Sequence, residues 1–469
     1  MITKIEIDGF KSFKDFEMEF TPLTVIAGAN ASGKSNLFDA LQLLSRIAEV
    51  DLRTAFGEQR GDASELFLSY SDGKSLTEMS FVVEMLVDKK VKDNWGREAT
   101  LKYTRLRYEL KIQRKKNHKG FEELFVSHER LDYIKNSKDK WIQIIPKKYR
   151  DFWRPKSDTN EKRDTPFIDT RMIDNRLSFV IHKDGIAGYP RTITATEAGQ
   201  SVLSDVNAIE FKHVLAAREE LRSWKFFQLN PADLREPTRQ EPGMSNIISQ
   251  SGKNLAAALY RIHRDNEFAL TDIKIMMTNF ISGLVEIDIV DDAANKQYMI
   301  KVKNEDGREF TSRVLSEGTL RFLALCILFY DEEHKSILCF EEPENGIHPY
   351  RIKNMVELLS DLGADFHDTD FPARQVIVNT HSPVVIGEFM TRLNKPNLSV
   401  WFAWTNTLVT SVENQRCKFQ ITRMVPVKKE KQVSIEFYEH ERKISLAEAQ
   451  KYLSTVDFSN IQTLLTVDK

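Results

Sequence analysis

Cysteine is scarce. Cys326, Cys339 and Cys417 are the three in 469 residues. They are far apart and show no metal-ligand spacing, so neither a zinc site nor a disulfide framework can be read from them. Cys326 and Cys339 lie in apolar segments and read as core residues, and this usage fits a reducing cytoplasm. Charge of one sign is also missing: the formal net charge is −2. Bulk electrostatics therefore do not mark a nucleic-acid binder, and any such surface has to be a local patch. There is no long apolar run. The longest, Leu320–Tyr330, is broken at Arg321 and too short to span a bilayer, so no membrane partner is expected. The N-terminus alternates like a strand and does not read as a signal peptide. Internal repeats, low-complexity segments and heptads long enough for extended coiled-coil arms are absent as well. What is left is an ordinary globular composition, 41% apolar and 29% charged, in a chain long enough for two to four domains or one domain with large insertions.

The order of elements points to an α/β fold. Ile5, Ile7 and Phe10 alternate with polar residues, and Thr24–Ala27 is a short buried strand ending at Gly28. Gly33–Ala48 has helical spacing, with Leu37, Leu41 and Leu44 on one face. Met79–Leu86, Leu101–Ile112 and Leu124–Ile134 are strand-like between charged turns. Helices are expected at Ala208–Leu221, Asn254–Asp265 and Thr271–Ile281, with Pro231–Met244 as an exposed loop. Strands return at Val285–Val290 and Tyr298–Val302. A helix over Leu315–Phe329, a strand over Ser336–Phe340, a helix over Tyr350–Leu362 and a strand over Gln375–Asn379 follow. The tail holds a helical stretch, Leu446–Leu453, and an apolar patch at Ile461–Leu465. The expected division is 1–75 and 283–425 as two halves of one α/β head, 76–204 as a β-rich insertion, 205–282 as a helical subdomain and 426–469 as a tail.

Four motifs carry chemistry. Gly28-Ala29-Asn30-Ala31-Ser32-Gly33-Lys34-Ser35 fits G-x-x-x-x-G-K-[ST], after a strand and before a helix, and Asn36 continues into the helix. The glycines let backbone N–H groups curl round phosphate oxygens at a helix N-terminus. Lys34 is placed for the β- and γ-phosphates, and Ser35 for Mg²⁺. Ser336–Phe340 then delivers Glu341 and Glu342 to the C-terminal end of a strand, where open α/β sheets bind ligands. Glu341 is expected to hold the metal and Glu342 to act on the attacking water. Ser316-Glu317-Gly318 opens an apolar helix. It reads as an ordinary N-cap if isolated, and as a second anion site given its place before the acidic strand. Asn379-Thr380-His381-Ser382-Pro383 ends a later strand, and there His381 is placed to reach a γ-phosphate.

In this order the motifs resemble the ABC-type ATPases of the SMC, Rad50 and RecF kind, and within them the overcoming-lysogenization-defect (OLD-like) ATPases of bacterial phage-defence operons. The resemblance covers about 1–50 and 205–405. It rests also on Gly9-Phe10-Lys11-Ser12-Phe13, on Asn254-Leu255 after Gly252-Lys253, and on Glu342-Pro343-Glu344-Asn345-Gly346-Ile347-His348-Pro349. It implies an ABC-type P-loop ATPase head, with a central parallel sheet and an N-terminal antiparallel β-subdomain, interrupted by a β-rich and helical insertion. It also implies ATP and Mg²⁺ as ligands, and a site shared by two copies meeting head to tail. Lys34, Glu341 and Glu342 come from one copy, and Ser316 and Gly318 from the other. Glu341 departs from the aspartate of the wider ABC pattern. The Q-loop is poorly defined, with Gln59 as its best candidate for a metal contact.

Lys111–Lys119 and Lys135–Arg150 are basic, with Trp141, Tyr149, Phe152 and Trp153 nearby. They read as a solvated hairpin rim ahead of a DNA contact, because the chain as a whole is not basic. Four functions compete: a defence-type switch that holds or frees an effector, a repair ATPase acting on DNA, a transporter subunit and a self-contained nuclease. The long insertion and the Glu-Glu-Pro-Glu run argue against a transporter. A nuclease of the full OLD type needs a Toprim domain after the ATPase. Beyond His381 the only aspartates are Asp457 and Asp468, and no Glu-Gly occurs. Any cutting is therefore expected from a separate effector, a nuclease among the candidates.

Overall fold

Alternating apolar residues at the N-terminus build an antiparallel edge before the chain reaches its parallel sheet. In this computed structural model β1 (Ile2–Asp8) pairs with β2 (Phe16–Glu19). Next comes β3 (Leu23–Gly28), all six residues buried, and then α1 (Lys34–Ile47). The structure describes residues 1–435 except 71–73, 118, 156–164, 185–189, 195–197, 242–245, 370–372, 413–414 and 430–432. The tail stretches Leu446–Leu453 and Ile461–Leu465 lie outside the described residues.

Six further strands join that edge: β4 (Glu78–Leu86), β5 (Arg105–Lys116), β6 (Glu122–Tyr133), β7 (Ile168–Ile173), β8 (Arg176–Ile181) and β9 (Arg191–Thr194), while Lys90–Lys92 and Glu98–Thr100 pair apart from it. With β1 and β2 they form one eight-stranded antiparallel sheet, ordered β9-β8-β7-β6-β5-β4-β1-β2. The boundary expected at 75 thus falls inside one sheet, because β4 pairs with β1 along its length.

The chain continues through α2 (Lys212–Arg222), β10 (Lys225–Phe227), α3 (Leu255–Asp265), α4 (Glu267–Phe280), β11 (Leu284–Asp292) and β12 (Gln297–Asn304). Then come α5 (Glu317–Tyr330), β13 (Ile337–Glu341), α6 (Ile352–Leu362), β14 (Gln375–Thr380) and α7 (Pro383–Met390). The hairpin β15 (Leu398–Val412) and β16 (Gln415–Lys429) follows, with β17 (Val433–Ile435). The second sheet runs β10-β13-β14-β3-β15-β16-β17. Its first five strands are parallel.

This sheet is covered on both faces, which is why its strands read as unbroken apolar runs. Ile26, Ile337, Cys339 and Ile377 join the core shared with α1, α2 and the antiparallel sheet. Val25, Leu338, Phe340, Val376 and Val378 join the core with α3 to α6. α5 is buried at every residue from Gly318 to Leu328, as expected of a helix apolar all round. The loop expected at Pro231–Met244 differs. Pro231–Arg235 is a short helix, capped by Asn230 Oδ1 accepting from Ala232 N at 2.9 Å, and Thr238–Arg239 pairs with Gln297–Tyr298. Proline suits the first turn of a helix, where its missing N–H costs nothing. Among the described residues no helix is long and apolar enough to cross a membrane.

One of the wholly buried carboxylates sits on β6. Glu129 on β6 accepts from Val202 N at 2.7 Å, Leu203 N at 3.3 Å and the Tyr108 hydroxyl at 3.0 Å. Burial pushes its carboxyl up to about 7, against these hydrogen bonds, which lower it. The folded protein therefore keeps a proton that the unfolded chain releases near 4.5. Glu129's contribution is full below that pH and is lost as pH rises toward 7. Glu129→Gln should flatten this part of the stability profile. Urea midpoints of both proteins between pH 5 and 8 test it, and parallel profiles would refute it.

Candidate active site

The phosphate loop is built by backbone geometry. Gly33 has φ +87° and caps α1 in the left-handed region without a side-chain cap, and Gly28 has φ +156°. A Cβ at 33 would sit 1.8 Å from Thr422 Oγ1, and one at 28 would sit 2.5 Å from Ala403 O. Only glycine satisfies both the dihedral and the space at position 33. The loop and helix start line a cavity of about 330 Å³: Asn30, Ala31, Ser32, Gly33, Lys34, Ser35 and Asn36, with Glu342 and Asn379 opposite. Lys34 Nζ donates to Gly28 O and Ala29 O, both at 2.8 Å. Burial lowers the pKa of Lys34, and Glu342, Glu341 and Glu344 oppose that shift.

The carboxylates arrive by register. β13 and β14 align Glu341 with Asn379, and β14 and β3 align Asn379 with Ile26. Ser35 Oγ donates to Glu341 Oε1 at 2.6 Å. Glu342 turns out of the strand at φ +48°, held by its N–H on Asn379 O at 2.8 Å. Its carboxylate meets His381 Nδ1 at 2.7 Å and accepts from Asn345 Nδ2 at 3.0 Å. Burial pushes Glu342 up, but the bonds from Asn345 and His381, with Lys34 nearby, leave it below the ordinary carboxylate value. Glu344 behaves oppositely. It is buried against Thr380 Oγ1, and burial raises its pKa.

Ser316, Glu317 and Gly318 do not line this cavity. Ser316 caps α5, its Oγ accepting from Thr319 N at 3.3 Å, and Glu317 pairs with Arg321 at 2.8 Å. The turn touches residues after Glu342 instead: a Cβ on Gly318 would lie 2.2 Å from Gly346 O.

Two protein-family profiles match the chain. One, described as "AAA domain, putative AbiEii toxin, Type IV TA system", covers 191–387. The other, described as "AAA domain", covers 4–174. The fold is mixed α/β and is consistent with an ABC-type P-loop ATPase head. A stretch of 81 residues is 37% identical to the chromosome partition protein Smc of Halothermothrix orenii, and it spans 17% of this chain and 6% of that protein. Among solved structures, an Smc head bound to the C-winged-helix domain of ScpA aligns at TM-score 0.46 and 13% identity, covering 92% of this chain and 99% of that one. The Smc head from Pyrococcus furiosus, with an extended coiled coil and bound to the C-terminal domain of ScpA, aligns at 0.44 and 11%, covering 96% and 99%.

The residues of the head suit a metal–nucleotide pair. Ser32 Oγ and Asn379 Oδ1 are buried without a hydrogen-bond partner among the described residues, as expected where a ligand completes the set. Ser35 and Glu341 supply the hydroxyl and carboxylate with which Mg²⁺ is held beside phosphate oxygens. Gln59 is buried outside the cavity, after the helix Leu52–Gly57, and its Nε2 has no partner. Three residues of the surround were not singled out in the sequence as site residues. Asn379 and Asn345 stand within motifs, but their roles come from register and a turn. Thr422 lies in no motif. It hydrogen-bonds Ser12 Oγ at 2.6 Å, and Ser12 accepts from Asn36 at 2.8 Å.

Gly33→Ala should therefore weaken ATP binding by about tenfold or more. Thr422→Ala placed on top should recover part of the loss, since it relieves the contact and leaves the dihedral strain. Calorimetric titration with Mg·ATP measures both, and wild-type affinity in Gly33→Ala would contradict the loop geometry.

Proposed function

We propose that this chain binds and hydrolyses ATP, that two copies complete each site, and that the nucleotide state switches a separate effector protein in bacterial anti-phage defence. The observation that carries the reading is the convergence of Lys34, Ser35 and Glu342 on one cavity that Ser316 does not line, with His381, itself outside the lining, bonded to Glu342.

The chemistry follows from the side chains. When phosphates enter, Lys34 exchanges its two carbonyl partners for them, and the first turn of α1 adds its N–H groups. Bound Mg²⁺ would neutralise charge between the β- and γ-phosphates, with Ser35 and Glu341 as its protein contacts. Glu342, kept ionised, accepts the proton of the attacking water, and His381 holds that carboxylate in place. A second copy offers Ser316 and Gly318 to the open side of the cavity, so ATP joins the two. Such an interface is bistable, and a partner that prefers one state is held or released by hydrolysis. The name of the matching toxin-family profile supports a defence setting. Direct action on DNA, as in repair or recombination ATPases of the RecF and Rad50 type, is the second reading. It draws on the short likeness to a chromosome partition protein.

Glu342→Gln should keep ATP binding and lose turnover by about 10²–10⁴-fold. Unchanged turnover would remove Glu342 as the base. Ser316→Arg should bind nucleotide and not hydrolyse it. Mixed with Lys34→Ala it should regain at most one of two sites per dimer. Full turnover by a dilute monomer would end the shared-site reading. The switch is tested by capture: Glu342→Gln with ATP should retain a protein partner from its native host. The pure chain should leave plasmid DNA and RNA uncut with Mg²⁺ or Mn²⁺, whereas cutting abolished by its own carboxylate variants would overturn the separate effector.

A further inference from the structure

A second and larger cavity, of about 980 Å³, opens where β10 and β13 begin. The strands are parallel, so it lies at the opposite edge of the sheet from the phosphate loop. Two buried N–H donors at its wall, Arg222 Nε and Trp153 Nε1, have no hydrogen-bond partner among the described residues. Buried donors without acceptors are rare and point to a missing partner. Lys89, Lys225 and Lys335 line the same space, and among the described residues none is in an ion pair.

Two of the four acidic residues of the wall, Asp88, Glu219, Glu220 and Glu333, are held in ion pairs among the described residues. Glu220 holds the Met1 amino group at 2.7 Å, and Glu219 holds Arg222 at 2.8 Å. Burial pushes the Asp88 carboxyl up, toward its neutral form. Phe152, half-exposed, stands beside Trp153 with ring centroids 5.3 Å apart. Stacking faces next to unpaired cations and donors suit an aromatic base carrying a phosphate.

We infer that this cavity binds a nucleoside phosphate, with its base against Phe152 and Trp153 and its phosphate on Arg222, Lys225 and Lys335. The wall is fastened to α5. Arg374 Nε donates to His334 O at 2.6 Å, and its Nη1 donates to Leu328 O at 3.1 Å and Phe329 O at 2.8 Å. Ser223 Oγ donates to Ser336 Oγ at 2.6 Å. An occupant thus bears on the C-terminal end of the helix whose first turn follows Ser316. That coupling rests on the proposed ATPase reading, whereas the binding does not.

The test titrates the full chain with AMP, inorganic phosphate and adenosine in separate arms, followed by tryptophan fluorescence and calorimetry. AMP lacks the β- and γ-phosphates for which Lys34 is placed. AMP should bind saturably and more tightly than either phosphate or adenosine. Lys225→Glu with Lys335→Glu, two changes at the cavity mouth, should weaken it by about tenfold or more, and Lys34→Ala should not. Absence of saturable AMP binding would overturn the site. So would binding lost in Lys34→Ala but kept in the double lysine variant. Phosphate binding as tight as AMP would overturn the nucleoside assignment. AMP should also shift ATP turnover of the wild type by about twofold or more and leave the double variant unaffected. Binding without that shift would overturn the coupling, and a chain with no turnover would fail the ATPase reading while leaving the binding result standing.

Discussion

Position 33 has room for a hydrogen atom and nothing larger. Its backbone is left-handed, and Thr422 Oγ1 occupies the place where a Cβ would go. Thr422 in turn bonds Ser12, which accepts from Asn36 on the first turn of α1. The phosphate loop is therefore clamped between the N-terminal turn and the last hairpin, two parts of the chain separated by 410 residues. Closing a contact of that sequence separation costs loop entropy, which the packing of the intervening sheets offsets. The contact exists because β16 lies beside β15, and β15 beside β3.

The same register sets the electrostatics. Three neighbouring parallel strands end level, so Glu341, Asn379 and the loop after β3 face one another. Carboxylates and an ammonium gathered in a partly dry space would repel or neutralise without further partners. Here Ser35 covers Glu341, and the bonds of Asn345 and His381 keep Glu342 charged. Glu344, where burial outweighs the bond from Thr380 and the charge of Glu342 adds to it, moves the other way. Adjacent acidic residues in one motif thus acquire different proton affinities from their surroundings alone.

The parallel core was legible because its signals are local. Thr24–Ala27, Ser336–Phe340 and Gln375–Asn379 are short apolar runs buried on both faces, and the phosphate loop is a contiguous string with glycines where the backbone needs them. What could not be read depends on remote pairing. Nothing in Met79–Leu86 says that it lies beside Ile2–Asp8, and so the strands of 76–204 looked like an insertion. The hairpin of Leu398–Val412 and Gln415–Lys429 mixes four Thr and five Lys or Arg with its apolar residues, which hides its period. Thr422 was invisible for the same reason: its importance comes from Gly33, not from its neighbours in sequence. At Pro231 a turn-former was read as a breaker, when a preceding Asn made it the start of a helix.

A line of contacts joins the turn that opens α5 to the carboxylate that faces the cavity. Gly318 packs on Gly346, with no space for a Cβ between them. Ile347 N donates to Glu344 O at 2.9 Å, and Glu344 meets Thr380. Thr380 Oγ1 accepts from Ser382 N at 3.0 Å, which fixes the turn carrying His381. His381 then holds Glu342 at 2.7 Å. The links are hydrogen bonds, buried at Glu344–Thr380 and part-buried at His381–Glu342, and a close backbone contact at Gly318, so a displaced first turn of α5 is felt along the line. The turn that we propose meets a second copy is thereby joined by direct contacts to the carboxylate that we propose meets water, although α5 begins outside the cavity.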